Sequence, residues 1–444
     1  MNWDEEEEPN SAMRKVIKRK EDLLKRCRGG SELRTCTTSN RDVQQQQQQL
    51  KQTSSLSLTT PPLNGSSPFC LPTPLPHGDS TERLVHQFIR ALSLRLNRPG
   101  ISPSTAPAAL VFDNNMVMTS RPCGSTSNDK MLISYESDQE ALRSCYLSLN
   151  KITPFIRFCH LTANQAILES IQVGQEAIHI IDFDIMHGVQ WPPLMQALAE
   201  RSDNTLHQSP PMLRITGTGQ DLNVLHRTGD RLSKFAQSLG IRFHFHPLLL
   251  LNNDPTSLAI YLPSAITLLP DEALAVNCVL YLHRFLKDDS RELLLFLHKI
   301  KALNPRVVTV AEREANHSNP LFLQRFLEAL DHYTALFDSL EATLPPTSGE
   351  RLAVEQVWFG REIMDIVAAE GEGRRERHQK FETWEMILKS VGFVKVPLSP
   401  FALSQAKILL RLHYPSDGYQ LQILNNSFFL GWQNQSLFSV SSWQ

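Results

Sequence analysis

Residues 177–184 read AIHIIDFD, a short apolar run closed by two carboxylates. With branched aliphatic side chains and no polar face, such a run fits a strand buried on both sides of a sheet. WPPLMQALAERS follows, opening on paired prolines and continuing as a helix. LRIT is the next strand, and GDRLSKFAQSLG is a helix with a terminal glycine. IRFHFH, ALAVNCVLYL and RVVTVAE supply three more strands, separated by helical segments such as SRELLLFLHKIKAL. Strands alternating with helices need crossover connections of one hand, which predicts an α/β fold with a mostly parallel, doubly wound sheet. The last stretches, FVKVP, AKILLRLHY, YQLQI, FFLGW and LFSVSSW, read as short strands joined by turns at 415–418 and 425–427. Their spacing predicts antiparallel strands added at the sheet's edge.

Upstream the texture is different. Residues 1–76 hold an acidic run at 4–8, the basic stretch RKVIKRKEDLLKR, six glutamines at 44–49 and a Ser/Thr/Pro-rich end. Such a composition buries too little apolar surface to offset the entropy of ordering, so it reads as a disordered low-complexity tail. The basic stretch reads either as a nuclear import signal or as a short solvated helix. From 77 to 444 the chain reads as one domain: a helical cap at 77–170, interrupted by a Pro/Ser/Thr/Asn-rich linker at 97–128, and an α/β core at 171–444. In the cap, Leu142, Tyr146, Leu149, Ile152, Phe155, Phe158 and Leu161 recur at helical spacing, and Pro154 marks a helix start.

A net charge of −2 lacks the footprint of a strongly basic nucleic-acid binder. Seven cysteines without a C-x-x-C pair offer neither zinc-ligand spacing nor a disulfide framework. The start, MNWDEEEEPN, is the reverse of a secretory signal, and apolar stretches such as 248–251 are too short to span a bilayer, so the chain reads as soluble and intracellular with no membrane partner.

A doubly wound sheet with an antiparallel end is the outline of a Rossmann-like methyltransferase, so an S-adenosylmethionine-dependent enzyme is the rival reading. A nucleotide site needs a glycine-rich turn after the first strand. Here only Gly188 follows, with a bulky Gln-Trp-Pro-Pro behind it. TGTGQD offers Gly217 and Gly219, but in the wrong loop, and a second strand ending at Thr216 lacks the acid that holds a ribose. No G-x-S-x-G, P-loop or H-E-x-x-H is present. His244 and His246 lie on one strand face but have no identifiable third ligand. Asp182 and Asp184 share a face by the same period and read as anchors at the sheet's carboxyl edge. These features assign no catalytic residue, no cofactor and no metal.

Ile178-His179-Ile180-Ile181-Asp182 is similar to the Val-His-Ile-Ile-Asp core of the GRAS family of plant transcriptional regulators. Gly188, Gln190, Trp191, Pro192 and Leu194 match its G-x-Q-W-P-x-L extension. The stretch 306–345 resembles the family's Pro-Phe-Tyr-Arg-Glu region, with Glu312, Asn316, Phe326, Tyr333 and Phe337. Arg375, Glu376, Arg377 and His378 match its Arg-x-Glu-Arg-His element, although Gln379 stands where the family has Glu. Trp384 with Gly392 (W-x7-G) and Trp432 with Trp443 (W-x10-W) match its closing motif. HGDSTERLVHQF, LTANQAIL and LRLHYPSDGY point to the lateral-suppressor branch. One departure stands out: the tail occupies the place of a leucine-rich helical pair carrying Leu-Leu-x-x-Cys-Ala, echoed faintly by residues 23–28.

This resemblance implies a Rossmann-like core with a helical cap, a nuclear location and regulation of transcription. For this branch it implies axillary meristem formation and shoot branching. It also implies action through other transcription factors or a second copy of the chain, with DNA contacted directly or through a partner. Two groups of cations are the candidates for DNA contact: Arg227, Arg231 and Lys234, and Arg374, Arg375, Arg377 and Lys380. Most such runs are solvated faces, and that is the more ordinary reading of each group; contact with DNA would be mainly through phosphates.

Overall fold

The computed structural model describes residues 78–97, 128–172, 174–203, 210–250, 266–287 and 289–444. The tail, its basic stretch and residues 98–127 of the expected linker lie outside them.

Among the described residues nine strands form one sheet in the order β3-β2-β1-β4-β5-β9-β8-β7, with β6 paired to β9. The first five are β1 (Ala177–Asp182), β2 (Met212–Gly219), β3 (Phe243–Leu249), β4 (Glu272–Val279) and β5 (Val307–Arg313). All their pairings are parallel. The chain leaves β1 to build outward through β2 and β3, then returns to build the other way, which opens a crevice at the carboxyl end of β1 and β4. β6 (Lys395–Val396), β7 (Tyr419–Leu424), β8 (Ser427–Trp432) and β9 (Gln435–Trp443) extend the sheet antiparallel beyond β5. The α/β expectation therefore holds, including its antiparallel end.

Alternate side chains of the central strands enter different cores. Ile178, Ile180, Ala275 and Val307 face one side, packed with Trp191, Leu194 and Leu198. Ile181, Val276, Cys278, Val308 and Val310 face the other, with Phe296, Trp384 and Trp443. This two-sided burial is what the unbroken apolar runs encode.

The helices before β1 are α1 (Ser80–Leu96), α2 (Asn128–Ile152) and α3 (Pro154–Ser170). Asp79 caps α1 by accepting from Glu82 N at 2.8 Å, and Pro154 opens α3 as expected. Between the strands run α4 (Trp191–Asp203), α5 (Leu222–Ser238) and α6 (Arg291–Ala302). After β5 come α7 (Phe322–Thr343), α8 (Gly349–Ala353) and α9 (Gly360–Ala368), the last two joined by a π-helical turn at Val354–Phe359. The helices α10 (Phe381–Ser390) and α11 (Pro400–His413) follow, on either side of β6 and before β7.

Three expectations are corrected. AKILLRLHY is not a strand but the end of α11. Ser399 caps that helix through Ala402 N at 3.1 Å, Pro400 starts it, and Ala402, Ala406 and Leu409 bury one helical face. Second, β2 runs on to Gly219, and an acid, Asp221, follows two residues later. Third, Asp182 and Asp184 do not share a strand face, because β1 ends at Asp182 and Asp184 turns into positive φ (63°).

Candidate functional site

The loop from β1 to α4 is tightly wound: Asp184, Met186 and Gly188 all have positive φ. A methyl group on Gly188 would meet Thr228 Cγ2 at 2.9 Å, so glycine lets the loop lie against α5. The wound loop delivers Gln190 and Trp191 to the carboxyl end of β1. There the Trp191 indole donates to Asp182 Oδ2 at 2.8 Å, and Asn277 Nδ2 donates to Oδ1 at 2.8 Å. Gln190 Nε2 bonds Asn164 Oδ1 and Asn277 Oδ1, both at 3.1 Å, and Thr309 Oγ1 donates to Asn277 Oδ1 at 2.9 Å. Asn164 Nδ2 closes the network on the Gln190 carbonyl at 2.8 Å. Every member is buried. Burial outweighs the two hydrogen bonds and lifts the Asp182 carboxyl to about 7.

This network fills the crevice where open α/β sheets receive ligands. The acid beyond β2 is engaged as well: Asp221 caps α5, accepting from Asn223 N at 2.9 Å and Val224 N at 3.2 Å. A cavity of about 430 Å³, lined by Met212, Arg214, Arg242, Phe243, His244 and Leu269, opens at the opposite, amino-terminal edge of the strands. His244 is exposed there and His246 half-buried.

The remaining motif residues sit within the fold. Ile178, His179, Ile180, Ile181 and Leu194 are fully sealed, and His179 Nε2 meets Thr216 Oγ1 at 2.8 Å. Pro192 stands in the first turn of α4. Trp384, Trp432 and Trp443 are core residues, and Gly392 supplies a φ of 91° after α10.

The two basic groups fare differently. Arg227, Arg231 and Lys234 lie on the exposed face of α5, with Arg231 also donating to the His187 carbonyl at 2.9 Å. The second group is corrected. Its residues lie on an irregular segment between Gly373 and α10, and Arg374 and Arg377 are buried. Arg374 Nη1 donates to the His317 carbonyl at 2.9 Å, and Arg377 Nη2 to the Gly371 carbonyl at 2.7 Å. Arg375 and Lys380 alone face solvent, the latter 3.3 Å from Glu328.

A constellation that sequence reasoning missed lies nearby. His283, from the turn after β4, meets Glu376 and His378 of the Arg-x-Glu-Arg-His element. No spacing signals it, since His283 is almost a hundred positions away. Burial drives the His378 pKa well below its usual value.

Among the described residues no helix is long and apolar enough to cross a membrane. Residues 73–444 match the GRAS domain family. The chain is 55% identical over 374 residues to Scarecrow-like protein 18 of Arabidopsis thaliana, spanning 83% of this chain and 84% of that protein. It is 44% identical over 390 residues to Protein MONOCULM 1 of Oryza sativa subsp. japonica, spanning 83% and 80%. Among solved structures it is similar to that of SCL7 in Oryza sativa, at 34% identity and a TM-score of 0.66, over 83% of this chain and 91% of that one. With its signature motif wound into the carboxyl edge of the sheet, the chain belongs to the GRAS domain family of plant developmental regulators.

Proposed function

We propose that this protein is a nuclear regulator of transcription that acts as a protein-interaction platform in shoot development, at axillary meristem initiation and branching, and that it is not an enzyme. One observation carries the reading: the crevice at the carboxyl edge of β1 and β4 is packed with the protein's own Asp182, Gln190, Trp191 and Asn277. A fold whose ligand crevice is closed by side chains offers its outer surface instead. The likeness to Scarecrow-like protein 18 and Protein MONOCULM 1 over four-fifths of the chain supports the developmental role. Partners are other transcription factors or a second copy of this chain. DNA is reached through such partners, with the exposed cations of α5 adding phosphate contacts.

Calorimetry with S-adenosylmethionine separates this reading from the methyltransferase alternative. No heat of binding is expected. A micromolar dissociation constant, equivalent to about −8 kcal/mol, would make the enzyme the better account. A fluorescent fusion expressed in plant cells tests the location, and exclusion from the nucleus would overturn it.

A further inference from the structure

Two segments far apart in sequence, the turn after β4 and the stretch 374–380, bring two imidazoles and a carboxylate to one point. Glu376 Oε2 stands 3.5 Å from His378 Nε2 and 3.9 Å from His283 Nε2, and all three ligand atoms lie within 4.8 Å of one another. His378 Nε2 is buried and makes no hydrogen bond among the described residues. A buried ring nitrogen aimed at two other donors, with no proton partner of its own, is a costly arrangement unless something occupies the space between them. We propose that His283, Glu376 and His378 bind a divalent transition metal of the zinc class.

The surroundings of the trio are those of a metal site. The other ring nitrogen of each histidine is already held. His283 Nδ1 lies 2.9 Å from Glu312 Oε2, whose second oxygen also accepts from His283 N at 3.2 Å. His378 Nδ1 lies 2.9 Å from His317 Nδ1. A carboxylate behind a ligand histidine fixes its tautomer, places the proton on Nδ1 and leaves the Nε2 lone pair free. Glu376 is held by its backbone: Asp365 Oδ1 accepts from Arg375 N and Glu376 N, each at 2.8 Å.

The neighbouring cations are matched elsewhere and do not compete for the facing oxygen. Arg284 pairs with Asp184, and Arg313 pairs with Glu362. Arg361 stands 3.8 Å from Glu376 Oε1, so that oxygen faces the guanidinium while Oε2 faces the histidines. Bonds of about 2.0–2.1 Å in a tetrahedral zinc site put ligand atoms about 3.3 Å apart. The two pairs that include Glu376 are already near that spacing, and the histidines close in by rotation of their rings. Two nitrogens and one oxygen select a borderline ion over magnesium or calcium. With three protein ligands the fourth position goes to water, on the side where Glu376 is 16% exposed. The bound ion would tie the 374–380 segment to the turn after β4.

The test uses the full chain, purified and dialysed against a chelator, with Co²⁺ as the spectroscopic probe. The expected result is one equivalent bound, with visible ligand-field bands of four-coordinate intensity that Zn²⁺ displaces. Glu376→Gln, on the solvent side of the trio, should weaken Co²⁺ affinity by at least about tenfold. His283→Gln should do the same from a different element. His244→Asn with His246→Asn, on the far edge of the sheet, should leave affinity within twofold. Failure of the parent chain to take up Co²⁺ overturns the site without any variant. Uptake that follows the His244/His246 pair and ignores Glu376→Gln and His283→Gln overturns it equally.

Discussion

The indole of Trp191 donates its N–H to Asp182 Oδ2 at 2.8 Å, joining the first residue of α4 to the last residue of β1. Both groups are buried, and the eight residues of wound loop from 183 to 190 lie between them. Trp191→Ala should therefore cost about 3–5 kcal/mol for the lost aromatic. Trp191→Phe keeps most of the packing but strips Asp182 of a donor, at about 1–3 kcal/mol. Urea unfolding of the two variants measures both. A Trp191→Ala protein that unfolds at the parent's midpoint but no longer binds partners would mark the loop as a contact surface.

The first cap helix is held by a buried ion pair. Arg83 Nε and Nη2 reach Glu355 at 2.7 and 3.0 Å, and Glu355 lies in the π-helical turn. Arg83→Ala leaves that carboxylate buried with a poorer partner, which should cost about 3–5 kcal/mol. Replacing both, as Arg83→Met with Glu355→Leu, should recover most of the loss, because the desolvation of both charges is then avoided. Denaturant midpoints decide it, and a single-variant loss under about 1 kcal/mol would show that the pair does not secure α1.

Acid should loosen the core through His179. Burial first, and then Arg214 nearby, lowers its pKa from 6.5 to about 4. Below its ordinary pKa the unfolded chain takes up a proton that the folded chain refuses. Its contribution is thus complete above pH 6.5 and is lost as pH falls toward about 4. The gap corresponds to on the order of 3 kcal/mol. His179→Gln should flatten the acid limb of a stability–pH curve relative to the parent. Superimposable limbs would show that His179 titrates normally.

DNA contact, if the pure protein makes it, should fall steeply with salt, with a log–log slope near −0.9 per phosphate neutralised. Arg227 and Lys234 lie on one exposed face of α5, so Arg227→Glu with Lys234→Glu should flatten that slope by about two units. Arg375→Glu should flatten it by about one. Arg374→Glu belongs to a different class, because its guanidinium holds the His317 carbonyl and its loss disturbs the loop. An unchanged slope in the α5 variant, or no binding at low salt, leaves recruitment by a partner.

The periodicities of the sequence determined which segments of the core became strands and which became helices, while the order of those strands in the sheet came from the tertiary structure. Apolar runs such as AIHIID and VVTVAE fit a strand buried on both faces, and the segments between them carry their own helix starts and stops, which sets the runs apart. The family motifs were legible for the same reason, as short contiguous strings. AKILLRLHY misled because a short apolar run fits either period, and the deciding capping residue, Ser399, lies outside it. Tertiary structure alone decided where the charges went. Arg374 and Arg375 are neighbours with the same chemistry, yet one is buried on a carbonyl and the other faces water. Which side of an irregular segment meets the core has no local signal. The trio of His283, Glu376 and His378 is likewise invisible in sequence, because it exists only when β4 and the 374–380 segment close on each other.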